Sequence, residues 1–250
     1  MSKISDIDEL MYSCGLEILH PGGLEKTDEM VQLCRIGKNK SVLDIGSGKG
    51  ATACCLAQKY DCRITGIDLS EKMIEYARQT ARQKALADKV TFVKADACQL
   101  PFPDECFDIV LAECTTVLLD KERAFAEFLR LTKPDGYIAD LEMTWRKTPP
   151  QAVIDHLADA WDNFATMTLQ QWQSFFEKLG LVDIKTADFS DAIADMEKNM
   201  NQQLGFKGKI KLGVKLLCHP RLLPAMRLSA KIFHDYADYI GYGYIIGRKK

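Results

Sequence analysis

The chain has 250 residues, 47% of them apolar and 27% charged, with a formal net charge of -2. That mixture belongs to a globular protein with one large core and excludes collagen-like and disordered chains. The balanced charge excludes a general affinity for nucleic acid, and no stretch approaches the roughly 18 consecutive apolar residues of a membrane span.

The polar, acidic start MSKISDIDEL lacks the apolar run of a secretory signal, so the chain is expected in the cytoplasm. Helices are predicted over ISDIDELMYS (4–13) and LEKTDEMVQLC (24–34), with LHPGG (19–23) turning between them. From there apolar runs alternate with helical periodicity, the mark of a parallel sheet covered by helices. SVLDI (41–45) is the first predicted strand and ATACCLAQKY (51–60) the helix after it. RITGID (63–68) leads into SEKMIEYARQTARQK (70–84), with Ser70 as N-cap, and VTFVK (90–94) follows. FDIVLAE (107–113), DKERAFAEFLRL (120–131, N-cap Asp120) and YIADLEM (137–143) complete this region, with KPDG (133–136) as a closing turn. Helices over 148–161 and 168–180, a strand over 181–189 and a final strand over 241–249 are expected beyond it. The roughly 50 residues between those two strands read mainly as helix, too long for a loop, and are expected to form an inserted cap. The expected layout is therefore a helical lid (1–40), a core (41–190), a helical cap insertion (191–240) and a final core strand (241–250).

Gly46, Gly48 and Gly50 follow a buried strand and open a helix, where a missing Cβ lets a ligand reach the main chain. With Ala51 the string satisfies the loose dinucleotide fingerprint, and Asp68 lies about 20 residues on, as a ribose-binding acid should. This motif alone leaves nicotinamide dinucleotides, flavins and S-adenosyl-L-methionine open. Asp44, inside the strand, needs positive charge or hydrogen-bond donors beside it. A sulfonium amino acid brings an ammonium; a pyrophosphate brings more negative charge. Asp96, just past the third strand, stands where an adenine edge can be held.

Asp44–Gly50, GIDLS (66–70), ADACQLPFPDECFDIV (95–110) and RLTKPDGYI (130–138), in this order, resemble the motifs of class I S-adenosylmethionine-dependent methyltransferases. The likeness spans Leu33 to Thr144 and is greatest to the small-molecule, methyltransferase type 11 or ubiquinone-menaquinone methyltransferase-like branch. It implies an α/β, doubly wound Rossmann-like sheet of seven strands, the last antiparallel, and S-adenosyl-L-methionine as cofactor. By position, Gly46, Ser47 and Gly48 would line its methionine part, Asp44 would hold the ammonium and Gly50 would complete the turn. Asp68 would accept from both ribose hydroxyls, Leu69 and Met73 would pack on adenine, and Asp96 with the Ala97 amide would meet its edge. Glu113 would sit beside the methyl donor. Lys49, where a small or hydroxyl residue is usual, and Asp135, where glycine is usual, depart from the pattern.

The expected partner is a small-molecule methyl acceptor. Tyr12, His20 and Glu113 are the candidate catalytic groups; GGLEKT (22–27) also resembles a segment of phosphoethanolamine-type methyltransferases. Cys114, Thr115, Trp145 and Trp161 are candidate pocket walls. Competing readings are a protein or RNA methyltransferase, against which the absence of a [DN]PP[YF] run weighs, a non-catalytic cofactor-binding scaffold, and an arsenite-type thiolate enzyme. The last would use converging thiolates from Cys14, Cys98, Cys114 or Cys218; no metal-ligand cluster is legible among the nine cysteines. From Asn199 to His234 there is no acid, while Lys207, Lys209, Lys211, Lys215, Arg221, Arg227 and Lys231 alternate with apolar residues. Such a stretch can meet a membrane surface or a lipid-like substrate, or form one solvated helix face.

Overall fold

The computed structural model describes residues 5–18, 20–161 and 164–250; Ile4 and Leu19, the first residues of the predicted first helix and turn, lie outside them. Helices α1 (Ser5–Cys14) and α2 (Gly23–Leu33) precede β1 (Ser41–Ile45), α3 (Ala51–Tyr60), β2 (Arg63–Asp68), α4 (Glu71–Gln83) and β3 (Val90–Lys94). Then come β4 (Phe107–Glu113), α5 (Lys121–Leu131), β5 (Thr132–Trp145), α6 (Gln151–Ala160), α7 (Leu169–Lys178) and β6 (Val182–Asp188). After α8 (Met196–Cys218) and α9 (Leu223–Asp235) the chain returns as β7 (Ile240–Arg248). The seven strands lie in the order β3-β2-β1-β4-β5-β7-β6, with β7 antiparallel to both its neighbours and the remaining pairs parallel. This is the doubly wound Rossmann-like sheet that the motifs imply.

The inner strands read as unbroken apolar runs because both of their faces are covered. Val42, Ile109, Leu111 and Leu141 share one core with residues of α1, α2, α3, α4 and α9. Leu43, Ile45, Val110 and Ile138 pack on the other side with Phe125, Phe128, Trp172 and Phe176 of α5 and α7. Side chains alternate between faces along a strand. The pairings Asp44↔Leu111 and Glu113↔Leu141 therefore put both acids on the first face, whereas Asp140, paired with Ala112, and Glu142 project on the second.

Local chemistry starts the helices where it was expected: Ser70 Oγ accepts from Met73 N at 3.4 Å and Asp120 Oδ1 from Arg123 N at 3.2 Å. The largest boundary difference is at β5. β5 begins before KPDG, at Thr132 opposite Phe107, and Lys133–Gly136 turn out of the β4 ladder before it resumes at the Tyr137↔Ile109 pair. Asp135 takes the left-handed φ of 60° there and accepts from Arg248 Nη1 at 2.5 Å, so aspartate serves where glycine is usual.

Gly50 shows how tight the first turn is. With φ at 75°, a Cβ there would stand 2.4 Å from Phe92 Cζ and 3.1 Å from Ala77 Cβ. Gly50→Ala is expected to lower unfolding free energy by about 2–4 kcal/mol, from left-handed strain plus overpacking. Urea denaturation that placed the variant within about 0.5 kcal/mol of the parent would contradict this packing.

Candidate active site

After β1 the main chain runs through Gly46, Gly48 and Gly50, all at positive φ, into α3. The three do different work. A Cβ on Gly46 would lie 2.2 Å from Thr115 Oγ1, and Gly50 admits Phe92, so these two make room for the protein's own side chains. A Cβ on Gly48 would meet only the Tyr12 ring and hydroxyl, the latter at 3.6 Å, so the bare main chain is presented at Gly48. The loop is held by Ser47 N donating to Ile67 O at 2.8 Å and Gly48 N donating to Asp68 Oδ2 at 3.0 Å. Lys49 secures α1 above it, donating from Nζ to Tyr12 O at 2.9 Å.

A cavity of about 270 Å³ opens beside this loop. Tyr12, His20, Asp44, Gly46, Ser47 and Glu113 line it, which brings six of the sequence-predicted site residues together. Gly48, Gly50, Asp68, Leu69, Met73, Asp96 and Ala97 lie outside its wall. Asp68, at the end of β2, accepts from Gly48 N and, at 2.8 Å, from Ser70 N; burial pushes its carboxyl up. Leu69 beside it is 70% exposed, an apolar surface with nothing of the described chain covering it. Met73 and Ala97 are buried, and Asp96 Oδ1 accepts from Cys98 N at 2.8 Å.

Asp44 is 3% exposed and its Oδ2 has no hydrogen-bond partner. Burial, then the charges of Glu113 and Asp68, hold its carboxyl well above the usual range, so the site favours a cation beside it. Glu113 is better served, accepting from Thr27 Oγ1 at 2.5 Å and Thr52 Oγ1 at 2.8 Å, with His20 Nε2 3.6 Å away. Burial alone would push Glu113 up, but His20 and the two hydroxyls bring it below the usual value. His20 Nδ1 lies 3.1 Å from Pro21 O; burial works to lower its pKa, and Glu113 overcomes that and raises it. With one ring nitrogen on a carbonyl and the other facing a carboxylate, His20 is arranged as a cation.

The cavity lining also holds residues that sequence reasoning missed. Phe164, Phe233 and Tyr242 join Trp161 as aromatic wall, with Met196, Met200 and Glu142. Trp145 is buried in the core instead, against Phe164. Glu142 and Asp140 are 2% and 1% exposed and share the Thr116 hydroxyl, at 3.2 and 2.7 Å. Main-chain N–H groups of Met143 and Val117 donate to the two Glu142 oxygens. Burial raises both carboxyls, Asp140 furthest. An acid inside an apolar strand is the signal that marks Asp44, and reading ADLEM that way finds Asp140 and Glu142. All nine cysteines are free; among the described residues no group of three or more His, Cys, Asp or Glu can hold a metal ion. Cys14 is buried, Cys98 and Cys114 half-buried and Cys218 exposed, so that set offers no thiolate cluster.

An orphaned buried carboxylate, a bare main-chain turn and a second acid at the next strand tip fit a cationic nucleoside. They define the class: an α/β enzyme that binds an amino-acid-bearing nucleoside across its strand ends. Residues 43–139 match the Methyltransf_11 family model, a methyltransferase domain. Ajmaline N-methyltransferase of Rauvolfia serpentina is 35% identical over 216 residues, covering 79% of this chain and 72% of that one. An uncharacterized protein of Haemophilus influenzae is 30% identical over 199 residues, 78% of each chain. A methyltransferase of Geobacter sulfurreducens, solved with S-adenosyl-L-homocysteine, superposes over the full length of both chains at a TM-score of 0.73 and 25% identity. The chain belongs to the Methyltransf_11 family of S-adenosyl-L-methionine-dependent methyltransferases. Its cofactor is S-adenosyl-L-methionine, and among its relatives ajmaline N-methyltransferase, by its name, methylates a small molecule.

Proposed function

We propose that this enzyme works in the cytoplasm and methylates the nitrogen of a small, largely apolar amine. The observation that carries this reading is the charge of the cavity. Glu17, Asp44, Glu113 and Glu142 line it against two basic side chains, His20 and Lys49, and four aromatic side chains, Trp161, Phe164, Phe233 and Tyr242, share the lining. His20 is matched to Glu113, and Asp44 is assigned to the cofactor ammonium. Glu142 is then the remaining acid in the lining of a cavity that Trp161, Phe164, Phe233 and Tyr242 also wall, a combination that suits an ammonium by charge and by cation-π attraction. The likeness to ajmaline N-methyltransferase, an N-methylating enzyme by name, supports the same atom.

In this reading Gly46, Ser47 and Gly48 lie along the methionine part of the cofactor, with Gly50 completing their turn. Asp68 accepts from the ribose hydroxyls, Leu69 and Met73 flank adenine, and Asp96 with the Ala97 amide meets its edge. When bound, the cofactor would supply an electrophilic methyl carbon for in-line attack by the amine lone pair, the thioether leaving with the carbon–sulfur electrons. Glu142 Oε1, with one main-chain donor and a lone pair to spare, takes the proton that the incoming ammonium must lose before its nitrogen can attack. Glu113 and His20 position the methyl-donor side, and Tyr12 covers Gly48.

Labelled methyl transfer to a panel of secondary and tertiary amines, with matched phenols and carboxylic acids, tests the reading. N-methylated products are expected, and Glu142→Gln should lower kcat/KM for the amine about a hundredfold or more while S-adenosylhomocysteine affinity stays unchanged. Turnover confined to oxygen acceptors overturns the reading.

A further inference from the structure

Helix α8 is broken at Gly205, whose φ of 54° and ψ of -169° are non-helical, into an inner and an outer segment. The inner segment brings Met196 and Met200 to the cavity. The outer one is fastened to α1: a Cβ on Gly208 would lie 2.6 Å from Cys14 O, and Lys215 Nζ donates to Ser13 Oγ at 2.6 Å. Away from that contact stand Phe206, Ile210, Val214 and Leu217, which are 80%, 53%, 54% and 84% exposed. At about 100° per residue these four fall within about 80° of arc, one apolar stripe along the outer face. Lys209 borders the stripe on one side and Lys207 and Lys211 on the other, as the same wheel places them. None of the three has an acidic partner within 4.0 Å among the described residues, and the sequence holds no acid from Asn199 to His234.

From this stripe and its borders we infer that the outer segment of α8 docks flat on an anionic phospholipid surface. The apolar side chains enter the headgroup boundary, and the lysines, whose stems run alongside, reach lipid phosphates. Charge complementarity selects this occupant. A second copy of the chain would bring the same lysines face to face, and a nucleic-acid backbone offers nothing to four exposed apolar side chains. Docking sets the cavity, through the inner segment, next to a bilayer from which an apolar acceptor can be drawn.

Flotation of the full chain with vesicles of phosphatidylcholine alone and of phosphatidylcholine and phosphatidylglycerol at 7:3, an arbitrary ratio of about one anionic lipid in three, tests this. Partition onto the anionic vesicles is expected, and it should weaken when salt shortens the Debye length to a few ångströms. Replacing Lys207, Lys209 and Lys211 by Gln together should reduce partition about a hundredfold, at about fivefold per lysine. Phe206→Ser with Leu217→Ser should reduce it at least about tenfold. Both variants should keep parental S-adenosylhomocysteine affinity, which shows that they are folded and separates this test from the acceptor assignment. The inference is overturned if the parent ignores anionic vesicles or if both variants bind them like the parent. It is equally overturned by a parent dimer that the Phe206→Ser, Leu217→Ser variant converts to monomer, or by lysine-dependent binding to RNA without binding to vesicles.

Discussion

Asp68→Ala should raise the Kd for S-adenosylhomocysteine about 10- to 150-fold, equivalent to about 1.5–3 kcal/mol for hydrogen bonds to a charged acceptor. Two effects run together. The carboxylate assigned to the ribose hydroxyls disappears, and Gly48 N and Ser70 N lose the oxygens they donate to, at 3.0 and 2.8 Å. The first of those amides belongs to the bare turn, so the substitution also loosens the surface proposed to carry the methionine part. Asp68→Asn keeps one oxygen for Gly48 N and should lose less. Calorimetric titration reading a Kd within twofold of the parent for Asp68→Ala would remove the ribose from β2 and with it the assigned direction of the cofactor.

Glu113→Ala should destabilise the fold by about 3–5 kcal/mol, the cost of breaking a buried ion pair from one side. The carboxylate gathers His20 Nε2, Thr27 Oγ1 and Thr52 Oγ1, so its removal strands donors from the segment before α2, from α2 and from α3. Relief of Asp44 from a neighbouring negative charge offsets part of this and favours the lower end of the range. The pair also sets a pH signature. His20 titrates above its unfolded value of 6.5, so its contribution is complete below pH 6.5 and is lost as pH rises through the folded value. Glu113 titrates below 4.5, so its share is present above pH 4.5 and is lost as pH falls through the folded value. Parent stability in urea should therefore decline above pH 6.5, and the Glu113→Gln variant should lack that decline. Parallel profiles for the two proteins would show that the imidazole is neutral in the folded state.

The cofactor half of the site is legible in the sequence because each residue there breaks a local rule in a short stretch. Asp44 is a charge in an apolar strand, Gly48 a gap in the side-chain cover, and Asp68 an acid at the next strand tip. The caps Ser70 and Asp120 are legible for the same local reason. What each glycine accommodates is not, since Thr115 and Phe92 reach Gly46 and Gly50 from distant segments. The start of β5 is hidden because KPDG has turn composition while Arg248, more than a hundred residues later, holds Asp135 in the strand. The wall of aromatic and methionine side chains is assembled from the segment after α6 and from α8, α9 and β7, so no local window contains it. The charge run of α8 is visible as composition, whereas the stripe opposite α1 depends on which helix face Gly208 turns inward.

The placing of β7 between β5 and β6 bears on how the molecule is made. As the polypeptide leaves the ribosome, β1 to β4 can pair with one another early, because their partners are close in sequence. β6, whose ladder within the sheet is with β7 alone, must wait for residues 240–248, and so must the Tyr242 wall. The half that carries the glycine turn thus has what it needs to form during synthesis, and the half that carries the aromatic wall is completed by a late strand insertion. Slow maturation should fall on that second half.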